Sequence, residues 1–438
     1  MTDEDQKGQV VSWIENNRDI IIDFLSDYIR HPSINPDLES TPDPTACQRW
    51  LASRLRDEGV FETVDYWTEK GLYANLVAVA KGTSGNRTLM FAGHSDTVPV
   101  TSEQQKAWNT AKGPFSGIVE DGRIWGRGAT DMKAGNVAAL MAVVALKKIG
   151  VSLADDIVFG FVSSEESGNR TVGIDSIVKR GYRAPNCIVM EPTNLEVVPA
   201  IQGEFYFQLK VFGKSCHIAS RHQAIYPTAY GAEIPGVNAI EKTAKYLHSL
   251  WDLEQQWGLH RKHPLLDPGA MTLNVAQING GETFSALAGS CEIVGSVLYS
   301  PSLSRDVVVG EFKSAINRVT EGDYWLREHP PELKLPYALP EKHPTNTSSQ
   351  HVLGRVLADA FHNVRKAPAT FTASVSTSDG NYLVDHDVDV VVFGPGTFDM
   401  GAHGINEYVP IEQVIDCTKV FACALLDWPS AHSSVPEA

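Results

Sequence analysis

Apolar residues along the chain follow two spacings, and the changes between them mark its elements. Over residues 9–30, Val10, Ile14, Ile21, Phe24, Leu25 and Tyr28 fall at roughly helical intervals, and His31-Pro32 stops the run. A second helix fits Thr45–Glu58, with Cys47, Trp50, Leu51 and Leu55 on one face. Tyr73–Ala80 reads YANLVAVA, a strand, and a turn-rich connection over Lys81–Arg87 follows it. Leu89–Ala92, Asp156–Val162 and Cys187–Met190 are short apolar runs, the signature of buried parallel strands, and Ala134–Lys148 is a helical run between them. After Ala200 the texture changes. Glu204–Phe212 alternates like a half-exposed strand, Val237–Leu253 is helical, and Met271–Ile278 and Cys291–Tyr299 are strands. A helix over Asp306–Val319 and a strand over Glu332–Leu335 complete the order βαββαβ, which is ferredoxin-like. Helix (Gln350–Phe361), strand (Val388–Phe393) and helix (Phe421–Asp427) signals then resume. The pattern predicts an α/β fold, a mixed and mostly parallel sheet flanked by helices. It is built from residues 1–200 and 341–438, with a ferredoxin-like α+β domain inserted over 201–340.

The chemistry gathers where the apolar runs end. The stretch TLMFAGHSDTVPV, residues 88–100, leaves its strand at Gly93 and presents His94 and Asp96. Side chains two apart in extended chain point the same way, which suits a metal-binding imidazole beside a supporting carboxylate. A loop histidine with a solvated aspartate reads the same. Gly126 and Gly128 allow a tight bend before Asp131, which is either the N-cap of the following helix or a metal ligand. The run 156–162 ends in Glu165-Glu166, and 187–190 ends in Glu191. Ligands of open α/β sheets bind at the carboxyl ends of strands. Carboxylates gathered there repel one another, and divalent cations would relieve the repulsion.

Composition narrows the class. At 438 residues the chain exceeds one compact domain. A net charge of −16 disfavours nucleic acid and anionic membranes as partners. The start, MTDEDQKGQ, lacks the basic and apolar segments of a signal peptide, and no apolar run is expected to reach membrane-spanning length. Six scattered cysteines without a CxxC pair fit reduced thiols in the cytoplasm.

Seven stretches together resemble a known family: FAGHSDTVPV, DGRIWGRGATDMKAG, SSEESGN, MEPT, GKSCHIA, STSDG and GPGTFDMGAHGINEYVP. They are similar, in order and over nearly the whole chain, to the dinuclear-metal amidohydrolases that include acetylornithine deacetylase, succinyl-diaminopimelate desuccinylase, aminoacylase and glutamate carboxypeptidase. The resemblance implies that His94, Asp131 and Glu191 hold one cation and that Asp131, Glu166 and His403 hold another, with Asp131 bridging. It implies zinc first, with manganese or cobalt also accepted. Asp96 would orient His94, Glu165 would be the general acid/base, and the Asp131–Met132 peptide would be cis. His217, in a lid formed by the inserted domain, would donate to the oxyanion across a homodimer interface. The implied activity is hydrolysis of the amide of a small N-acyl amino acid or related compound. Deamination of an aromatic amine, peptidase activity and a catalytically dead binding protein are the other readings. The sequence departs from the family in the lid. Ser285 and Ala288 stand where Asn and Pro are usual, and Leu298 where an arginine grips a substrate carboxylate; Arg221 or His222 would have to substitute.

Overall fold

The computed structural model describes residues 3–109, 112–225 and 233–433. The chain divides into two compact units: Met1–Ile201 with Thr345–Ser374 and Ser378–Ala438, and Gln202–Pro344 with Val375–Thr377.

The first unit is built on a nine-stranded sheet. Across it run Thr63–Glu69, Tyr73–Ala80, Asp156–Val162, Arg87–His94, Asn186–Val189, Asp389–Val392, Val197–Ile201 and Thr345–Asn346, with Phe371–Ser374 pairing parallel to Val197–Ile201 off that path. The four strands from Asp156–Val162 to Asp389–Val392 are mutually parallel. Arg87–His94 lies between Asp156–Val162 and Asn186–Val189, so the crossover from it goes to one side and the next, from Asp156–Val162, returns past it to the other. That is the topological switch point at which open α/β sheets bind ligands. Both faces of the central strands are covered, which is why Tyr73–Ala80 and Asp156–Val162 are apolar and buried throughout.

The helix Ala134–Lys148 packs between the sheet and the helix Ile411–Ser433, which explains its apolar surface all round. Contrary to expectation, the stretch Ala129–Lys148 is long and apolar enough to cross a membrane; its apolar window is wholly buried as a core element. The amino-terminal run is two helices, Asp3–Asn16 and Arg18–Arg30. The break falls at Asn17, whose side chain donates to the Trp13 carbonyl (2.7 Å). Apolar spacing carries across the break, so periodicity does not reveal it.

The second unit has the order βαββαβ. Its four-stranded antiparallel sheet runs Thr272–Gly280, Ser290–Tyr299, Gly203–Phe212, Glu332–Lys334. Alternate residues Phe205, Phe207, Leu209 and Val211 are buried with Ile293 and Val297 of the paired strand and with Tyr246, Leu250 and Phe312 of the helices Ala239–His260 and Arg305–Gly322.

Candidate metal centre

The carboxyl ends of the parallel strands meet in one cluster. His94 is the last residue of its strand, and Glu191 follows Asn186–Val189 by two residues. The first glycine-dependent feature is the Asp131 turn. Gly128 enters it at φ 84°, and a Cβ there would lie 2.8 Å from Thr97 Cγ2. Gly135 lets the next helix approach the Glu191 strand, because a Cβ would lie 2.1 Å from the Met190 carbonyl. Asp131 is no helix cap: Lys133 occupies that position and makes no capping bond. Its carboxylate faces two imidazoles instead. Oδ1 lies 3.1 Å from His94 Nε2, and Oδ2 lies 3.1 Å from His403 Nε2. His94 Nε2 is 3.6 Å from Glu191 Oε1, and His403 Nε2 is 3.0 Å from Glu166 Oε2. The Asp131–Met132 peptide is cis. Ligand atoms of His94, Glu165 and Glu191 lie within 4.8 Å of one another, as do those of His94, Asp131 and Glu166.

Protons mark the electrostatic demand of this cluster. Burial and then Asp131 push Glu166 up to about 7. Burial, with Asp131, Glu165 and Glu166 adding to it, raises Glu191 well above the ordinary carboxyl value despite His94. Hydrogen bonds to Asp131 and Glu166 lift His403 to about 10. Burial opposes a charged His94, yet Asp131, Glu191 and Asp96 overcome it and raise its pKa well above the usual value. Burial also opposes a charged Asp131, and its two imidazole partners outweigh that and hold it low. Among the described residues, the buried Glu191 Oε2 has no hydrogen-bond partner. An oxygen-rich donor set with a free buried carboxylate oxygen fits divalent cations.

The family model described as peptidase family M20/M25/M40 matches residues 90–427. The chain belongs to this family. It is thus a metal-dependent hydrolase acting on C–N bonds. The N-formyl-4-amino-5-aminomethyl-2-methylpyrimidine deformylase of Bacillus subtilis is 29% identical over 430 residues, covering 95% of this chain and 96% of the relative. The acetylornithine deacetylase of Myxococcus xanthus is 29% identical over 355 residues, covering 80% and 83%. In fold, the chain matches an M20 family metallo-carboxypeptidase of Sulfolobus solfataricus with a TM-score of 0.69 at 18% identity, covering 94% of this chain and 99% of that one.

Two supports of this M20 centre differ from, or were absent from, the sequence reading. The Asp96 carboxylate does not hydrogen-bond His94: its Oδ1 is 3.7 Å from Nδ1, whereas the backbone carbonyl of Asp96 is 2.9 Å away. The carboxylate instead accepts the amides of Glu165 (3.4 Å) and Glu166 (3.1 Å) and the Asn35 side chain (2.7 Å). Glu407 was missed. Fully buried and pushed up to about 7 by burial, it accepts the amides of Thr130 (3.0 Å) and Asp131 (3.3 Å). Its only sequence signal is an acid four residues after His403.

The remaining predicted residue, His217, belongs to the second unit and is exposed. Its segment bridges antiparallel to Ala286, and Ile218 donates to the Ser285 carbonyl (2.7 Å), so the departure at Ser285 lies beside it. Ala288 is buried. Leu298 is half-buried, in register between Thr272 and Glu204. Arg221 is paired with Glu241, and His222 Nδ1 lies 3.1 Å from the Ala219 carbonyl.

Proposed function

We propose that this M20 chain hydrolyses the amide bond of a small N-acyl amine. The observation that carries the reading is the Asp131 carboxylate, whose two oxygens each face a different imidazole at 3.1 Å. His94, Asp131 and Glu191 would hold one cation, and Asp131, Glu166 and His403 the other. When bound, divalent cations, zinc first and then manganese or cobalt, supply an electrophile and acidify water. Glu165 takes the proton of the attacking water and delivers it to the leaving nitrogen. Asp96 holds the turn that carries Glu165. His217, offered by a second copy in a homodimer formed through the second unit, donates to the carbonyl oxygen. The six free cysteines support a cytoplasmic location.

The substrate side argues for an amine without an α-carboxylate. Leu298 offers no positive charge, and its cross-strand neighbours are Thr272 and Glu204. An anionic group near that pair would meet a carboxylate rather than a guanidinium. The formyl amide of an aminomethylpyrimidine, named for the Bacillus subtilis relative, is therefore the first compound to assay. Metal-stripped protein should be inactive and regain turnover with zinc, manganese or cobalt. In the restored protein, N-formyl and N-acetyl arylmethylamines should exceed N-acyl amino acids in kcat/KM by at least ~10-fold, about 1.4 kcal/mol of transition-state binding. The opposite preference would return the substrate to the N-acyl amino acids; no amide turnover with metal bound would remove the hydrolytic reading.

A further inference from the structure

Arg127 and Glu407 form an ion pair at the floor of the metal centre, with Arg127 only 1% and Glu407 0% exposed. Arg127 Nη1 donates to Glu407 Oε2 at 2.8 Å. The other ends of both side chains are spent on backbone. Glu407 Oε1 accepts the amides of Thr130 (3.0 Å) and Asp131 (3.3 Å), and Arg127 Nη2 donates to the Gly404 carbonyl at 2.7 Å. The pair therefore ties the turn bearing Asp131 to the loop bearing His403. The two loops also meet through the Gly126 amide and the Glu407 carbonyl (2.8 Å) and through the pairing of Arg123–Trp125 with Tyr408–Pro410.

The two halves of the centre are thus held by different means. His94 ends a strand paired on both sides, and Glu191 follows a paired strand. Asp131 and His403 sit in irregular backbone, and His403 itself has φ 58°. A buried ion pair is a poor way to gain stability, since apolar residues of similar volume often do as well or better. Its use here is geometric. We propose that Arg127 and Glu407 are positioning residues that set Asp131 and His403 for the second cation. This rests on the two-cation reading above.

The test titrates metal-stripped, full-length protein with manganese and reads stoichiometry and affinity by calorimetry, with circular dichroism reporting the fold. Wild type should bind two equivalents. Glu407→Gln should weaken the second cation, which takes both Asp131 and His403, by ~10–100-fold, the usual cost of losing an outer partner of a ligand, and should weaken the first, which shares only Asp131 with it, by clearly less. Arg127→Met combined with Glu407→Gln removes both charges, so no buried charge is left unpaired. That double variant should show the same selective loss with a native fold. Two equivalents at wild-type affinity in either folded variant would overturn the proposal, and so would equal loss of both. A wild type that binds only one equivalent would instead sink the two-cation reading, and this proposal with it.

Discussion

Glu165 and Glu166 are neighbours, and the division of labour between them turns on local backbone. On a strand end their side chains would face opposite ways. They lie instead in a turn, closed by the Gly168 amide on the Glu165 carbonyl (2.7 Å). A turn lets both carboxylates reach the cluster, Glu165 towards His94 and Glu191, Glu166 towards His94 and Asp131. Glu166 alone also touches His403, at 3.0 Å, which favours it as the ligand. On the proposed assignment, Glu165→Gln keeps the shape and removes the base. Its metal content should stay at the wild-type value while turnover falls at least ~100-fold, the low end of a general-base contribution. Glu166→Gln should weaken metal binding, because an amide oxygen is a poorer ligand than a carboxylate. Metal analysis beside turnover decides between them: a Glu165→Gln protein that loses metal and recovers activity in excess metal would exchange the two roles.

At the scale of elements, the parallel strands were legible because a strand covered on both faces must be apolar without a break. Asp156–Val162 and Ala134–Lys148 have the bounds that their apolar runs predicted. The strand Val197–Ile201 was not legible, because Pro199 argues against a paired strand, yet it pairs with Phe371–Ser374 and Thr345–Asn346. The hydrogen-bond partners of the site were not legible either. Asp96 and the Glu165 amide are 69 residues apart, and Thr130 and Glu407 are 277 apart, distances over which spacing carries no information. Asp96 therefore looked like a support for the histidine two residues before it. Its carboxylate acts on another element, the turn that carries Glu165 and Glu166. Asp96→Ala should leave those two amides without their acceptor, at a cost of about 1–3 kcal/mol in stability. Turnover should fall because the base is no longer held. The His94 ring keeps its backbone partner at 2.9 Å, so the cation on that side should remain. Loss of that cation in Asp96→Ala would show that the carboxylate supports His94 after all.

For the whole molecule, the centre makes metal-free folding stability fall as pH rises and the stabilisation by metal grow with it. Burial pushes Glu407 up to about 7, burial and then Asp131 push Glu166 to about 7, and burial raises Glu191 further. Hydrogen bonds to Asp131 and Glu166 carry His403 to about 10, and His94 is raised despite its burial. Each of these groups binds its proton more tightly folded than unfolded. Between about pH 5 and 8 the metal-free folded state therefore holds more protons than the unfolded chain, and its stability falls as pH rises. Asp131 is depressed, so its contribution is already complete above the ordinary aspartate value and is lost only in stronger acid. Asp156, Asp175 and Asp323 are lowered as well, held by Lys81, Arg170 and Lys242 against the opposing effect of burial, and they too act below this window. A buried carboxyl moved from the ordinary value to about 7, as Glu407 is, changes folding free energy by roughly 3 kcal/mol across that range. On the two-cation reading, divalent cations would replace the protons and supply the positive charge at every pH at which they bind. Metal-stripped protein should thus melt at a lower temperature near pH 8 than near pH 5.5. The stabilisation gained on adding zinc or manganese should grow over the same interval. Melting curves of stripped and loaded protein at the two pH values test this. A stripped protein more stable at the higher pH would mean that the clustered carboxylates are not relieved by protons, and the electrostatic case for a cation site would fail with it.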